Sequence, residues 1–275
     1  MLLAAHPTVG HTQALRAIGR ELLGRGHAVR FAITALRPLP SFLPMPTAVR
    51  AGEALIQALR SDGFTLVPLA LRLSAGWAAW RVASSRGYDE LDWALRLFTG
   101  DARGVASTLT AELRLRPAEV VLADCFHYGA WLAAEALGIP FVAVFHSGLP
   151  FAAPGHPPFG SALEDDANPA QLAQNQRRLD EASQRADLTL GKARRGLGLA
   201  EVAPGVLGRP YARGLNVLTT FEQFEPPRPH LAATADGPLL WAGPCLGASR
   251  PSTAFPWEKL EGEGPLVYLS LGTVF

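Results

Sequence analysis

Short apolar runs that alternate with helical patterns constrain this chain more than any other feature. Residues 120–123 and 141–145 are apolar without polar alternation, as is typical of parallel strands covered by helices on both faces. A helical pattern closed by Gly138 separates them, and the same strand–helix–strand order opens the chain. Repeated units of this kind form right-handed crossovers. The sequence therefore predicts an α/β fold, a Rossmann-like parallel sheet with helices on both faces.

Hydrophobic periodicity gives the predicted elements of this fold. Strands are predicted at residues 2–5, 28–34, 64–69, 119–123, 141–145, 214–219 and 238–242. Helices are predicted at residues 11–25 and 128–137, each followed by a glycine, and residues 170–199 indicate two more. Loops are predicted at residues 37–46, 73–80 and 150–158. Loops of this length usually carry function.

Composition narrows the classes of function. The chain has 25 basic and 24 acidic residues and no basic stripe, which argues against nucleic acid as a partner. Cys125 and Cys245 fit no metal or redox spacing, so we expect two reduced thiols and no metal site. The N-terminus has no signal-peptide pattern, and no apolar run predicts a transmembrane helix. We expect a cytoplasmic protein. Peripheral contact of its apolar loops with a membrane surface stays an open alternative.

The last part of the chain predicts a domain boundary. Residues 245–264 are largely polar with two prolines, as is typical of a linker, and residues 265–275 have the pattern of a buried strand. A buried parallel strand needs neighbours on both sides. We therefore expect one domain over residues 1–244, an interdomain linker over 245–264, and the first strand of a truncated second domain over 265–275.

Two polar residues stand where predicted strands meet predicted helices. His11 begins the first helix and Asp124 follows the fourth strand, so both belong to the carboxyl edge of the sheet, where α/β proteins bind ligands. A histidine there can act as a general base, and a carboxylate that accepts its hydrogen bond orients the ring. From position alone, a histidine at a helix start is more often a cap or a surface residue, and a helix cap fits Asp124 at least as well as a catalytic role.

The sequence lacks the motifs of two other enzyme classes. The nucleophile elbow Gly-x-Ser-x-Gly of hydrolases is missing, because Tyr268 and Phe145 stand where Ser270 and Ser147 would need a glycine. The dinucleotide-binding motif Gly-x-Gly-x-x-Gly is also missing, because Gly10 is alone after the first strand. A non-catalytic protein that binds an apolar small molecule stays open as an alternative.

Short motifs are spread in order over nearly the whole chain. They are residues 10–14 (GHTQA), 21–22 (EL), 25–29 (RGHAV), 122–126 (LADCF), 133–140 (AAEALGIP), 157–160 (PPFG), 237–244 (GPLLWAGP) and 267–275 (VYLSLGTVF). Together they resemble the family 1 glycosyltransferases of the GT-B fold, such as the UDP-glycosyltransferases and the bacterial macrolide and carotenoid glucosyltransferases. The sequence departs from the family at Ala14, where proline is usual, and it lacks the His-Gly-Gly turn of the donor site.

The resemblance implies a truncated transferase that moves a hexose from a UDP- or dTDP-sugar to a hydroxyl of an apolar acceptor with inversion, without cofactor or metal. His11 is then the general base and Asp124 its partner. The expected acceptor-binding residues are Gly10, Phe42, Trp77, Trp80, His127, His146 and Phe151, and the expected donor-diphosphate contacts are Ser270, Gly272 and Thr273. Ordinary core packing also explains the aromatic residues and the additional histidines.

The missing partner in this interpretation is a C-terminal donor-binding domain. The chain alone is therefore expected to be inactive. One half of a split glycosyltransferase is the alternative organisation.

Overall fold

The computed structural model describes residues 1–35, 47–70, 73–146, 148–161, 163, 167–247, 260, 264, 265, 267 and 269. Within these residues the chain forms seven β-strands and eight α-helices. The strands are β1 (Leu2–Ala5), β2 (Arg30–Ala35), β3 (Thr65–Ala70), β4 (Val121–Asp124), β5 (Phe141–Phe145), β6 (Leu215–Leu218) and β7 (Leu239–Trp241). The helices are α1 (Val9–Gly24), α2 (Thr47–Ser61), α3 (Leu73–Ser84), α4 (Gly87–Gly100), α5 (Ala102–Leu115), α6 (Tyr128–Ala136), α7 (Pro169–Arg195) and α8 (Leu231–Thr234).

These strands form one parallel sheet in the order β3-β2-β1-β4-β5-β6-β7, which confirms the predicted fold class. The chain builds outwards from β1 to β3 and then returns to the centre for β4. The point where the strand order reverses therefore lies between β1 and β4, the usual ligand-binding position of such sheets. Because all pairs are parallel, the carboxyl ends of β1, β4 and β5 lie side by side.

Two hydrophobic layers cover the sheet. Leu3 belongs to the layer formed with α1 and α2, which includes Leu15 and Leu59. Leu2 belongs to the opposite layer, formed mainly with helices α4 to α7. Gly19 permits the close approach of α1, because a Cβ there would lie 2.7 Å from the side chains of both Leu3 and Phe64. Burial on both faces explains the unbroken apolar runs.

Most predicted elements are present at nearly the predicted places. Strands β1 and β5 have the predicted bounds, and the other strands begin and end within two residues of them. Helices α1 and α6 are also confirmed, and α1 is followed by Gly26 at a φ of +84°. Residues 150–158 form neither helix nor strand, as expected for a loop.

Two predictions about the helices are wrong. Residues 73–80, predicted as a loop, belong to α3, because this alanine-rich segment has no proline and its helix propensity outweighs Gly76. Residues 170–199, predicted as two helices, form the single helix α7 up to Arg195. No proline follows Pro169 to interrupt it, and Asn168 caps its start by accepting a hydrogen bond from the Ala170 N–H at 2.8 Å.

Three further expectations concern the irregular segments, the two cysteines and membrane crossing. The loop at residues 37–46, and most of the linker and final strand at 245–264 and 265–275, lie outside the described residues. Both cysteines are free thiols, as expected. Of the helices in the described ranges, none has the length and apolar character that a bilayer crossing requires.

Candidate active site

The carboxyl edge of the sheet gathers polar side chains from three neighbouring strands. His6 directly follows β1, Asp124 is the last residue of β4, and His146 directly follows β5. His11 lies in the first turn of α1, which begins only four residues after β1 ends. The short β1–α1 connection holds this turn above the point where the strand order reverses. The sheet topology thus brings residues more than a hundred positions apart into one site.

His11 and Asp124 are in direct contact. Nδ1 of His11 lies 3.0 Å from Oδ2 of Asp124. The side chain of Asp124 is fully buried, whereas that of His11 is 17% exposed. A carboxylate only accepts hydrogen bonds, so the proton of this bond belongs to Nδ1 and the lone pair of Nε2 stays available. The arrangement is that of a base with an orienting partner.

A second imidazole approaches the same carboxylate oxygen. Nδ1 of His146 lies 2.7 Å from Oδ2 of Asp124, within ion-pair distance, although the atoms do not meet the geometry of a hydrogen bond. The rings of His11 and His146 are 4.4 Å apart between centroids. His146, predicted to line the acceptor site, therefore belongs to the group around Asp124.

Asp124 is fixed and ionised by its surroundings. Its Oδ1 accepts a hydrogen bond from the Phe126 N–H at 2.9 Å. Burial alone would raise the pKa of this carboxyl, but the His11 and His146 imidazoles together hold it well below its usual range. Asp124 does not cap α6, because His127 does so, with its Nδ1 accepting from the Ala130 N–H at 3.3 Å.

The other two histidines of the site are held neutral. Burial, with a smaller contribution from His127, lowers the pKa of His6 to about 3. Burial lowers the pKa of His127 to about 4. The Nε2 atom of His6 bonds to the carbonyl oxygen of Phe126 at 3.1 Å. Each of these imidazoles thus has a nitrogen committed to the backbone, and His127 is buried as a helix cap.

Aromatic rings border His11. Phe98 of α4 and Phe126 lie with their ring centroids 5.4 and 5.9 Å from the His11 ring, and they stack on each other at 5.3 Å. Phe98 also contacts His6, with centroids 4.5 Å apart. Sequence reasoning missed Phe98, because it is one of several apolar residues in a helix that carries no motif.

The remaining predicted site residues lie in different places. Gly10 lies beside His11 in the first turn of α1. Trp77 and Trp80 of α3 stack on each other, with ring centroids 4.8 Å apart. Their side chains are 58% and 54% exposed, so they are not core residues. Phe151 is buried against Phe145, with centroids 5.1 Å apart. Phe42, Ser270, Gly272 and Thr273 lie outside the described residues.

The chain is similar to known proteins in its structure. No protein-family model matches the sequence, and no curated protein does. The chain is similar to the glycotransferase of kitacinnamycin, at 18% identity over 90% of this chain and 52% of the other, with a TM-score of 0.54. It is also similar to the calicheamicin glycosyltransferase CalG4, at 15% identity over 88% and 51%, with a TM-score of 0.50.

A third similar structure is Phytolacca americana UGT2 complexed with UDP-2fluoro-glucose and pterostilbene, at 17% identity over 90% of this chain and 55% of the other, with a TM-score of 0.50. The chain spans about half the length of these solved structures. At such identities the likeness concerns the fold. The chain has the Rossmann-like fold found in GT-B glycosyltransferases of family 1, and the resemblance in its sequence is confirmed at that level.

Proposed function

We propose that this chain is the acceptor-binding half of an inverting glycosyltransferase, which moves a hexose from a nucleotide sugar to a hydroxyl of an apolar small molecule. The observation that carries the proposal is the 3.0 Å contact between His11 and the buried Asp124 at the point where the strand order reverses. The fold shared with UGT2, whose structure contains UDP-2fluoro-glucose and pterostilbene, supports the class of reaction.

His11 supplies the base in this proposal. Its Nε2 lone pair takes the proton of the acceptor hydroxyl as the oxygen bonds to the anomeric carbon of the sugar. The bond from that carbon to the diphosphate breaks with its electron pair going to the leaving group. A single displacement of this kind inverts the anomeric centre and needs no covalent intermediate on the protein.

The surroundings of His11 favour this proton transfer. The imidazolium that forms keeps its Nδ1–H on the ionised Asp124, whose negative charge balances it. His6 and His127 are neutral at physiological pH, so they add no positive charge that would oppose protonation of His11. Phe98 and Phe126 give an apolar acceptor a surface beside the base.

The donor site belongs to the second half of the enzyme in this proposal. We propose that Ser270, Gly272 and Thr273 contact the diphosphate of a UDP- or dTDP-hexose once a donor-binding domain is present. Helix N-termini and backbone amides of such a domain suit a diphosphate. The 275-residue chain alone should therefore show no turnover, whereas a protein that joins it to a donor-binding domain should be active.

Replacement of His11 tests the assignment of the base. In the two-domain enzyme, with a nucleotide hexose and a panel of apolar phenolic acceptors, His11→Ala should lower kcat by roughly a hundred- to ten-thousand-fold. Acceptor affinity should change little, because the base acts mainly in the transition state. His27→Ala is the matched control, since His27 is an exposed histidine in the turn between α1 and β2, at the other edge of the sheet.

Alanine at His6 and at His127 separates the base from its neighbours. Near-normal kcat in His11→Ala, with loss of turnover in one of these two variants, would assign the base to a different histidine. If none of the histidine replacements lowered kcat in folded protein, the general-base mechanism would be wrong.

A further inference from the structure

Three ligand atoms of the kind that transition metals prefer converge at the carboxyl edge. They are Nδ1 of His11, Oδ2 of Asp124 and Nδ1 of His146, and all lie within 4.8 Å of one another. The two nitrogen–oxygen distances are 3.0 Å for His11 and 2.7 Å for His146. General-base chemistry needs one of these imidazoles on the carboxylate, and it leaves the second without a role.

The second imidazole also has an unsatisfied nitrogen. Nδ1 of His146 is buried and has no hydrogen-bond partner in the described structure, despite its nearness to Asp124. Buried polar atoms are nearly always hydrogen-bonded, so an exception calls for an explanation such as an ion. His6 and His127 offer no such atom towards this point, because they are engaged with backbone groups of Phe126 and Ala130.

We propose that His11, Asp124 and His146 form a binding site for one divalent transition ion of the Zn²⁺ type. Two imidazole nitrogens and one carboxylate oxygen are a frequent protein ligand set for such ions, with remaining positions left to water. Ligand bonds of about 2.0–2.2 Å separate neighbouring ligand atoms in a tetrahedral site by about 3.3 Å. The two nitrogen–oxygen distances of 3.0 and 2.7 Å need to widen only slightly to reach this spacing.

The surroundings hold the carboxylate in place for this purpose. The other oxygen of Asp124 is fixed by the Phe126 N–H at 2.9 Å, the kind of outer contact that orients a metal-binding carboxylate. The three side chains come from three different elements, α1, β4 and the end of β5, whose relative positions are set by the sheet. The site is therefore built by the fold itself.

Metal binding at this place would switch off the proposed base, a consequence that rests on the proposed function. An ion on Nδ1 of His11 takes the place of the proton that Nδ1 shares with Asp124, and that proton moves to Nε2 of the same ring by exchange with solvent. The metal-bound ring stays neutral with its single proton on Nε2, so no lone pair faces the acceptor hydroxyl. Removal of the ion by a chelator would restore the base.

Titration of the chelator-treated 275-residue chain with Co²⁺ tests the site without any sugar or acceptor. Visible absorption bands of Co²⁺ should saturate at one equivalent and disappear when Zn²⁺ is added in competition. His146→Asn and Asp124→Asn should each weaken Co²⁺ binding by at least about tenfold. His27→Ala and His230→Ala, which remove exposed histidines, should leave it unchanged.

Several results would overturn the site. One is unchanged Co²⁺ affinity in both His146→Asn and His11→Asn, with circular dichroism showing that the variants are folded. Another is loss of binding in an exposed-histidine control. If the variants unfold, the side-chain ¹⁵N signals of the wild-type chain decide, because Zn²⁺ should shift those of His11 and His146 and a response confined to other histidines contradicts the site.

The metal-binding experiment and the activity experiment test the two proposals separately. Co²⁺ binding without any transferase activity in the two-domain enzyme would retain the site and remove the proposed function. Active enzyme that ignores saturating Zn²⁺ would contradict the site at His11.

Discussion

Two buried ionic groups of this protein are built in opposite ways. Arg194 of α7 is 1% exposed, and its guanidinium donates to both carboxylate oxygens of Glu135 at 2.8 and 2.6 Å and to the Ala200 carbonyl at 2.7 Å. Its guanidinium also lies 5.0 Å from the Trp131 ring centroid. Around Asp124, by contrast, two imidazoles meet one oxygen, and Nδ1 of His146 makes its 2.7 Å contact outside hydrogen-bond geometry.

In the proposed function, the first buried charge serves the structure and the second serves the chemistry. This guanidinium is held by a bidentate pair with one carboxylate and by a backbone carbonyl, so Arg194 joins α7 to α6. The histidine group keeps one partly exposed ring whose Nε2 is not needed for the fold. Such incompletely bonded, pKa-perturbed groups are typical of functional sites. Two replacements and one change of pH test this contrast through the free energy of unfolding.

Removal of the guanidinium should have the larger effect on stability of the two replacements. Arg194→Leu leaves the Glu135 carboxylate without its partner, and breaking a buried pair in this way costs about 3–5 kcal/mol. We expect the lower end, because Glu135 is 27% exposed and water can reach it. Urea unfolding measures the change. The double replacement Arg194→Leu with Glu135→Leu should recover part of it.

The same variant separates structure from chemistry. In the two-domain enzyme the folded Arg194→Leu protein should keep its kcat. A large fall in kcat without loss of stability would show that the Arg194–Glu135 pair takes part in function, and the contrast would be mistaken.

Acid should destabilise the histidine group. The folded protein keeps His127 neutral with a pKa of about 4, whereas the ordinary value is 6.5. The unfolded chain therefore binds the extra proton first, and stability that is present above pH 6.5 is lost as the pH falls towards 4. For His127 the loss is on the order of 3 kcal/mol, and the lowered pKa of His6 acts in the same direction.

Urea unfolding between pH 7 and pH 4 measures this loss. His127→Asn keeps an acceptor for the Ala130 N–H but removes the titrating ring, so its stability should depend less on pH. Arg194→Leu serves as the comparison, since it should lower the whole curve without removing this dependence. An unchanged pH dependence in His127→Asn would show that His127 is not the group responsible.

Replacement of the shared carboxylate should have the smallest effect on stability and a clear effect on activity. Asp124→Asn retains an oxygen for the Phe126 N–H, so unfolding free energy should change by about 1 kcal/mol. The amide can donate to Nδ1 of His11, which places the ring proton on Nε2 and removes the base. We expect kcat in the two-domain enzyme to fall by at least about tenfold. A fall in stability of several kcal/mol with normal kcat would reverse the roles assigned to the two ionic groups.

The sequence predicts the sheet better than the helices around it. β5 could be placed because Gly138 and Pro140 bound an unbroken apolar run, and a buried parallel strand has few alternatives. The sequence does not predict α3, because two tryptophans and Gly76 obscure its helical periodicity. Periodicity also cannot show that α7 continues as one helix through polar residues. The strand at 265–275 stays a prediction.

From the sequence, the site could be predicted only to lie at the carboxyl edge of the sheet. Strand order brings His11 and Asp124 to one edge, and their contact follows from it. The approach of His146 to the same oxygen depends on side-chain rotamers, which no motif encodes. The Arg194–Glu135 pair joins residues 59 positions apart on two helices, so periodicity gives no sign of it.

The tautomer of His11 tests the central claim most directly. Side-chain ¹⁵N NMR of the metal-free chain at neutral pH reads it without any substrate, with His11→Gln identifying the signals. The account predicts a neutral ring with its proton on Nδ1, bonded to Asp124, and a change to the Nε2–H form in Asp124→Asn. A wild-type His11 whose Nε2 carries the proton would have no lone pair for the acceptor hydroxyl and would contradict its assignment as the base.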